Sequence, residues 1–403
     1  GEIASDNTLA GGESATDVIG IQEIDDMIHT PVNSNLRDLW GWMYGGVNRA
    51  NFILEFQDKI DFSGKDQVIA QARFLRAYYY FELVKWFGDI PLAIDKQILF
   101  GEESSYERSP ASEVYSLIEQ DLIYAADKLP SVPAETGRVT KGAAQALLGK
   151  AYLYQDKFSE AAQELETLIQ SGTYSLVTDY NTIFEEEGEN NVESVFEVQY
   201  TDLEGAGFGC LQCSEGNIAV GFSGVRNYEG PNFTSGFSFN VPVQEAYDAF
   251  DNDDPRRDIA ILDINAWAAS TGATFGTGYE HTGYFNRKYI PRTRSSEALA
   301  DLNLTNPNNY RAIRYADVLL MAAEANNRGG LNESKAQDYL NQVRRRAFGD
   351  ELHDVTASGL SLTNAIYLER RLELVGEGHR FFDLVRTGKA AQEINGFQEG
   401  KHE

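Results

Sequence analysis

Residues 141–171 read KGAAQALLGKAYLYQDKFSEAAQELETLIQS, and this stretch decides the fold. From Lys141 to Gln155, and again from Ser159 to Ser171, apolar residues recur at spacings of three and four, which is the period of a helix with one buried face. Only the short polar turn Asp156-Lys157 separates the two segments, so they form a helical hairpin. Leu148 and Gly149, then Tyr152, then Ala161 put small residues where two helices have to approach closely.

That is the relative spacing used by tetratricopeptide repeats, whose helix pairs stack and bury one another. A second, degenerate copy is read from Tyr315 to Ala347. There Ala322, Ala323 and Ala325 mark one helix and Ala336, Leu340 and Val343 the next, across a Gly329-Gly330 turn. Ordinary antiparallel helices would build the same core. Outward from the hairpin, Val68, Ala72, Leu75, Tyr79, Leu83 and Trp86 give a further buried helix, stopped by Gly88 and Pro91. Ser112 to Leu129 repeats the pattern and ends at Pro130 and Pro133. The expected fold class is mainly α, in one domain over 1–403. A tetratricopeptide-like helix-pair scaffold covers about 36–171 and 310–390, and a loop-rich, irregular half covers about 172–309. That half is rich in Gly, Asn, Thr and aromatic residues and has only short strand-like pieces such as Val195-Phe196-Glu197-Val198. Long irregular stretches of this kind carry function more often than they merely connect. The first thirty residues have the same loop character.

With 403 residues and 42% hydrophobic content the chain can bury a large core. Its longest apolar runs, such as Val318 to Ala323, are far shorter than the roughly 20 residues that span a bilayer. The formal net charge of −28 argues against nucleic acid as a partner and mildly disfavours a heavily sulfated or carboxylated ligand. The two cysteines, Cys210 and Cys213, do not amount to a disulfide framework.

Three segments in order are similar to the SusD/RagB family. The first is residues 71–81, QARFLRAYYYF, running into Trp86-Phe87-Gly88-Asp89-Ile90-Pro91-Leu92. The second is residues 313–325, IRYADVLLMAAEA, followed by residues 340–347, LNQVRRRA. The third is Glu369-Arg370-Arg371-Leu372-Glu373-Leu374 with residues 376–384, GEGHRFFDL. Trp40, Tyr44, Asn51 and Asp254-Pro255-Arg256-Arg257 are weaker echoes. The resemblance implies a surface lipoprotein of Bacteroidetes that captures oligosaccharide or polysaccharide without catalysis and without a cofactor. It also implies delivery to a TonB-dependent, SusC-like transporter, with the protein held on the outer face of the outer membrane by a lipid anchor. Family members begin at a lipid-modified Cys and close with a Pro-containing tail. Neither is seen here, so both ends are expected to be trimmed.

The charged residues of the third motif suit ion-pair clamps better than acid-base chemistry, since Glu373 with Glu377, and Arg380 with Asp383, have helix-face spacing. Glu185-Glu186-Glu187 with Glu189 is expected to be a solvated acidic loop. Cys210-Leu211-Gln212-Cys213 has the spacing of half a zinc site, but no second Cys pair or nearby His completes it; in an oxidising surface location a local disulfide is the better expectation. Asp248, Asp251, Asp253 and Asp254 resemble a fragment of a calcium loop, though the closing Gly and Glu are missing. Gly205-Ala206-Gly207-Phe208-Gly209 lacks the context of a phosphate loop and is expected to be flexible backbone.

A sugar site needs flat aromatic faces for the apolar side of a pyranose, with polar side chains for its hydroxyls. The irregular half supplies Phe208, Phe222, Arg226, Asn227, Tyr228, Asn232, Phe233, Trp267, Phe275, Tyr279, His281, Tyr284 and Phe285. Of these, Tyr228, Trp267, Tyr279 and Tyr284 are expected to stack, with Arg226, Asn232 and Asn286 as polar partners and Asp6 and Asn7 adding contacts from the first loop. Trp40, Trp42 and Trp86 are expected in the core. Two rival readings are a glycan-active hydrolase and a helical-repeat scaffold for protein interaction.

Overall fold

The computed structural model describes residues 1–59, 61–205, 207–292 and 301–401; Ala206 of the glycine-rich loop and the final His402 and Glu403 lie outside the described residues. After a short helix at Ile19–Asp25, in a region expected to be loop, five longer helices follow one another: α1 (Ser34–Glu55), α2 (Lys65–Phe87), α3 (Ala111–Lys128), α4 (Lys141–Leu153) and α5 (Phe158–Gln170), each packed on the next. After the loop-rich half, α6 (Tyr315–Arg328) packs directly on α5, and α7 (Glu333–Phe348) and α8 (Gly359–Glu373) pack on α6. The two expected helix pairs, α4/α5 and α6/α7, are therefore neighbours in one array, although about 140 residues separate them in sequence.

Local chemistry sets the helix ends. Asn33, Thr140 and Asn332 cap α1, α4 and α7 by accepting backbone N–H groups of Leu36, Ala143 and Lys335. Gly149 permits the tight pairing of α4 and α5, because a Cβ there would lie 2.5 Å from Leu165 Cγ. One continuous apolar core runs through the array, from Val47 through Phe74, Leu148, Leu165 and Leu319 to Ile366.

The loop-rich half leaves and rejoins this array through two antiparallel strands, Ser194–Val198 and Tyr310–Arg314. It has a small core of its own, including Val225, Tyr228, Phe233, Val241, Leu262, Phe285 and Ile290. Two further antiparallel pairs shape it: Thr8–Gly11 with Phe239–Pro242, and Ile261–Asp263 with Tyr284–Asn286. Through Thr8–Gly11 the first thirty residues are thus joined to the irregular half.

A buried charge network joins this half to the scaffold. Arg256 is fully buried and donates to Asp254 Oδ2 at 2.7 Å, Glu369 Oε1 at 2.6 Å and Glu373 Oε2 at 3.0 Å. Arg314 reaches Glu193, Glu373 and Glu377, and Lys288 donates to Glu377 at 2.7 Å. Burial pushes the Glu373 carboxyl up, yet Arg346, Arg314, Arg256 and Lys288 outweigh it and hold the group below the ordinary carboxylate range. Burial, and then Lys150, depress the His379 imidazole to about 3. Its Nδ1 lies 3.4 Å from Lys150 Nζ, which has only protons to give, so Nδ1 is the acceptor.

The network corrects several details of the sequence reading. Helix α8 ends at Glu373, so Glu373 and Glu377 converge on Arg314 from a helix end and a turn rather than from one helix face. Arg380 does not pair with Asp383; it clamps Asp6 with two 2.7 Å bonds, while Asp383 serves Arg370 and Arg386. The acidic loop is only partly solvated, because Glu185 binds Arg292 and Glu189 accepts the Asn309 N–H at 2.7 Å. Trp42 is 44% exposed and stands outside the core.

Candidate functional site

Of the residues expected to meet a ligand, Tyr228 and Tyr284 are buried in apolar clusters, so their rings are packed within the fold instead of facing solvent. Trp267 is half-buried against the same small core, and its indole N–H is already donated to Tyr228 Oη at 2.9 Å. Asn286 is buried and holds the Gly376 carbonyl at 2.8 Å. Asp6 and Asn7 are also buried. Asp6 is clamped by Arg380 and Asn7 accepts from Arg371 at 2.8 Å, so they dock the chain's first segment onto the scaffold. Burial raises the Asp6 carboxyl, but Arg380 and Arg371 bring it below its ordinary value. Arg226 is half-buried, Asn232 is exposed at a turn with φ of 70°, and Tyr279 is 37% exposed.

The structure brings Arg226 and Tyr279 together with residues that composition did not single out. Three segments zip along one another. Gly12 N–H donates to Ser238 O at 2.8 Å, and Tyr279 N–H donates to Gly12 O at 2.8 Å. Gly276 N–H closes the set by donating to Arg226 O at 2.7 Å. Gly12 has φ of 96°, and a Cβ there would lie 2.7 Å from the Phe239 ring, so glycine is required for this approach. Beside the seam stand three rings: Phe208, 59% exposed, is 5.6 Å from Phe237, which is 5.7 Å from Phe222. Phe222 in turn rests 5.3 Å from the buried Phe239. The outer rings are thus held by a core aromatic beneath them.

The loop carrying Phe208 is pinned by a Cys210–Cys213 disulfide. Asp254 of the calcium-like run is engaged by Arg256, and among the described residues no three His, Cys, Asp or Glu side chains converge so as to hold a metal ion.

The backbone around the seam is held in costly conformations. Val18, Asn227, Ser238, Asn240 and Glu280 all have positive φ, between 46° and 59°. Each such residue costs on the order of 1–3 kcal/mol and persists where its surroundings over-determine it, as at binding sites. Arg226 is held by donation to Phe237 O at 2.9 Å, with Glu13 and Asp17 each 3.9 Å away. The arrangement offers one exposed ring, Phe208, packed on the half-buried Phe237 and Phe222, beside the polar groups of Arg226 and Tyr279. Phe237, Glu13 and Asp17 were not flagged by composition. The alternation of aromatic and small residues over Gly236-Phe237-Ser238-Phe239 is the one local signal that could have found Phe237.

A family model described as SusD family matches residues 188–403, and one described as starch-binding associating with outer membrane matches residues 5–153. SusD-like protein P2 of Formosa agariphila is 30% identical over 397 residues, covering 93% of this chain and 76% of that protein. A solved laminarin binding SusD-like protein is 37% identical with a TM-score of 0.88, covering 98% of this chain and 87% of that one. Surface glycan-binding protein A from Bacteroides thetaiotaomicron, solved in complex with laminarihexaose, is 29% identical with a TM-score of 0.85 and covers 98% of this chain and 86% of that one.

Proposed function

The chain belongs to the SusD family, and from that premise we propose that it captures a glucan of the laminarin kind and hands it to a TonB-dependent, SusC-like transporter in the outer membrane. As a member of that family it is a binding protein and not an enzyme. The reading places the protein on the outer face of that membrane, held by a lipid anchor.

One observation carries the ligand assignment: the loop-rich half holds Phe208, Phe237 and Phe222 as a surface platform beside Tyr279 and Arg226. A pyranose presents axial C–H groups on one face, which pack on such rings through dispersion and burial. Its equatorial hydroxyls point sideways to polar partners. Polar groups beside the rings would serve those hydroxyls. No proton has to move, so the site needs no catalytic pair. The family likeness supports the same choice, since two similar solved structures bind laminarin or laminarihexaose.

Titration calorimetry with laminarihexaose, against maltohexaose as comparison, tests the ligand. Saturable binding that Phe208→Ala weakens supports the platform, and no binding to any neutral hexasaccharide refutes it. Chromatography of the same mixtures would reveal shortened products if the protein cleaved the glycan. Co-purification with a SusC-like protein from outer membranes tests the partner.

A further inference from the structure

We infer that the platform discriminates by charge, accepting uncharged glycans and rejecting sulfated or uronate-bearing ones through the exposed carboxylate of Glu13 and the half-buried one of Asp17. This rests on the platform being the glycan site.

A sulfate ester or uronate keeps a full negative charge and binds tightly only where cationic donors are free to meet it. The segments that build or border the platform are 11–17, 202–205, 207–216, 218–239 and 275–281. Their single Lys or Arg is Arg226, set against the carboxylates of Glu13, Asp17, Asp202, Glu204, Glu215, Glu229 and Glu280. Arg226 is half-buried, its Nη2–H donates to Phe237 O at 2.9 Å, and the guanidinium lies 3.9 Å from both Glu13 and Asp17, which offset its charge. Burial depresses the His281 imidazole, so it adds no cation at neutral pH. Glu13 projects outward with 75% of its side chain exposed, next to the seam where Gly12 meets Ser238 and Tyr279.

An anionic substituent over the rings would therefore face the Glu13 and Asp17 carboxylates, whose field reaches over roughly one Debye length, about 8–10 Å. Coulomb repulsion across roughly 8 Å of water weakens binding about two- to threefold for each carboxylate facing each sulfate. A ligand sulfated on successive sugars accumulates this to about tenfold or more. A neutral glucan escapes it.

The test compares laminarihexaose with sulfated laminarihexaose on the full chain by calorimetry at low and high salt. The sulfated ligand is expected to bind at least about tenfold more weakly at low salt, with the gap closing as salt rises. Glu13→Gln with Asp17→Asn should narrow the ratio of the two affinities about three- to fivefold. Glu13→Gln alone, at an exposed position with little bearing on folding, should narrow it about twofold. Glu135→Gln removes the same charge from the loop between α3 and α4 and should leave the ratio unchanged. Equal affinities in the unaltered chain, or a control that narrows the ratio as much as the platform variants, would overturn this inference while leaving glycan binding intact. Failure of laminarihexaose and maltohexaose alike to bind strikes the platform reading itself.

Discussion

Replacing Arg256 by Met should lower the melting temperature by about 4–6 °C, and adding Asp254→Asn should return at least half of that loss. The guanidinium is fully buried and its bonds reach Asp254, Glu369 and Glu373. Without it, Glu369 still holds Arg344 at 2.7 Å, and Glu373 still holds Arg314 and Arg346. Among the described residues Asp254 has no second cation, since its carboxylate bonds only the guanidinium and backbone N–H of Arg256. The substitution therefore leaves one buried, uncompensated carboxylate, a fault that costs about 3–5 kcal/mol. Unfolding entropy of about 2.1 cal/mol/K per residue over 403 residues is about 0.85 kcal/mol/K, so that cost corresponds to about 4–6 °C. Neutralising Asp254 removes the orphaned charge while keeping its shape, which is why the double variant should be the more stable of the two. Differential scanning calorimetry at neutral pH without ligand makes the comparison. A single variant within 1 °C of the parent, or a double variant less stable than the single one, would refute the assignment of Asp254 and Arg256 as a mutually dependent pair.

Phe237→Ala should weaken laminarihexaose binding about two- to tenfold, in line with about 0.5–1.5 kcal/mol for an aromatic contact, while calorimetric melting moves by less than about 2 °C. Acid should destabilise the protein earlier than its carboxylates alone would. His379 has a folded pKa of about 3, below the unfolded value near 6.5, so the unfolded chain takes up that proton first. Its contribution is complete above about pH 6.5 and is lost as pH falls toward 3, amounting to about 4–5 kcal/mol at the acid end. Melting temperatures measured from pH 7 to 4 should decline in the parent and stay flatter in His379→Gln. Glu373, Asp317 and Asp383, all depressed by neighbouring cations against the opposing effect of burial, add a second decline below the ordinary carboxylate range near pH 4. Reducing the Cys210–Cys213 bridge releases little chain entropy, because the ring it opens is short; the loop-length relation gives about 2 kcal/mol, or about 2 °C, as the largest expected loss.

The helical array was legible because its signals are local. The spacing of Leu148, Gly149 and Ala161 reports a close helix contact directly, and the structure makes that contact at Leu165. The site was not legible in the same way, because it forms where residues 11–17, 237–239 and 275–281 meet across the fold. Composition showed a surplus of aromatics there but could not sort faces. Tyr228 and Trp267 satisfy one another's polar atoms inside the small core, whereas Phe208, with no polar atom to satisfy, stands outside. Asp6 and Asn7 have side chains that suit hydroxyl contacts equally well, and only the arrival of Arg380 and Arg371 from the far end of the chain commits them to another task.

That docking of the first residues has a mechanical side. Glu2 accepts the N–H groups of Gly376 and Gly378, Asp6 is gripped by Arg380, and only then does the chain enter the strand Thr8–Gly11 that leads to the seam. A pull applied at Gly1 would meet the scaffold's charged grip before it reached the rings. Load entering there would be taken up by the bonds of Glu2 and Asp6 to the scaffold, and the seam would not have to distort to bear it.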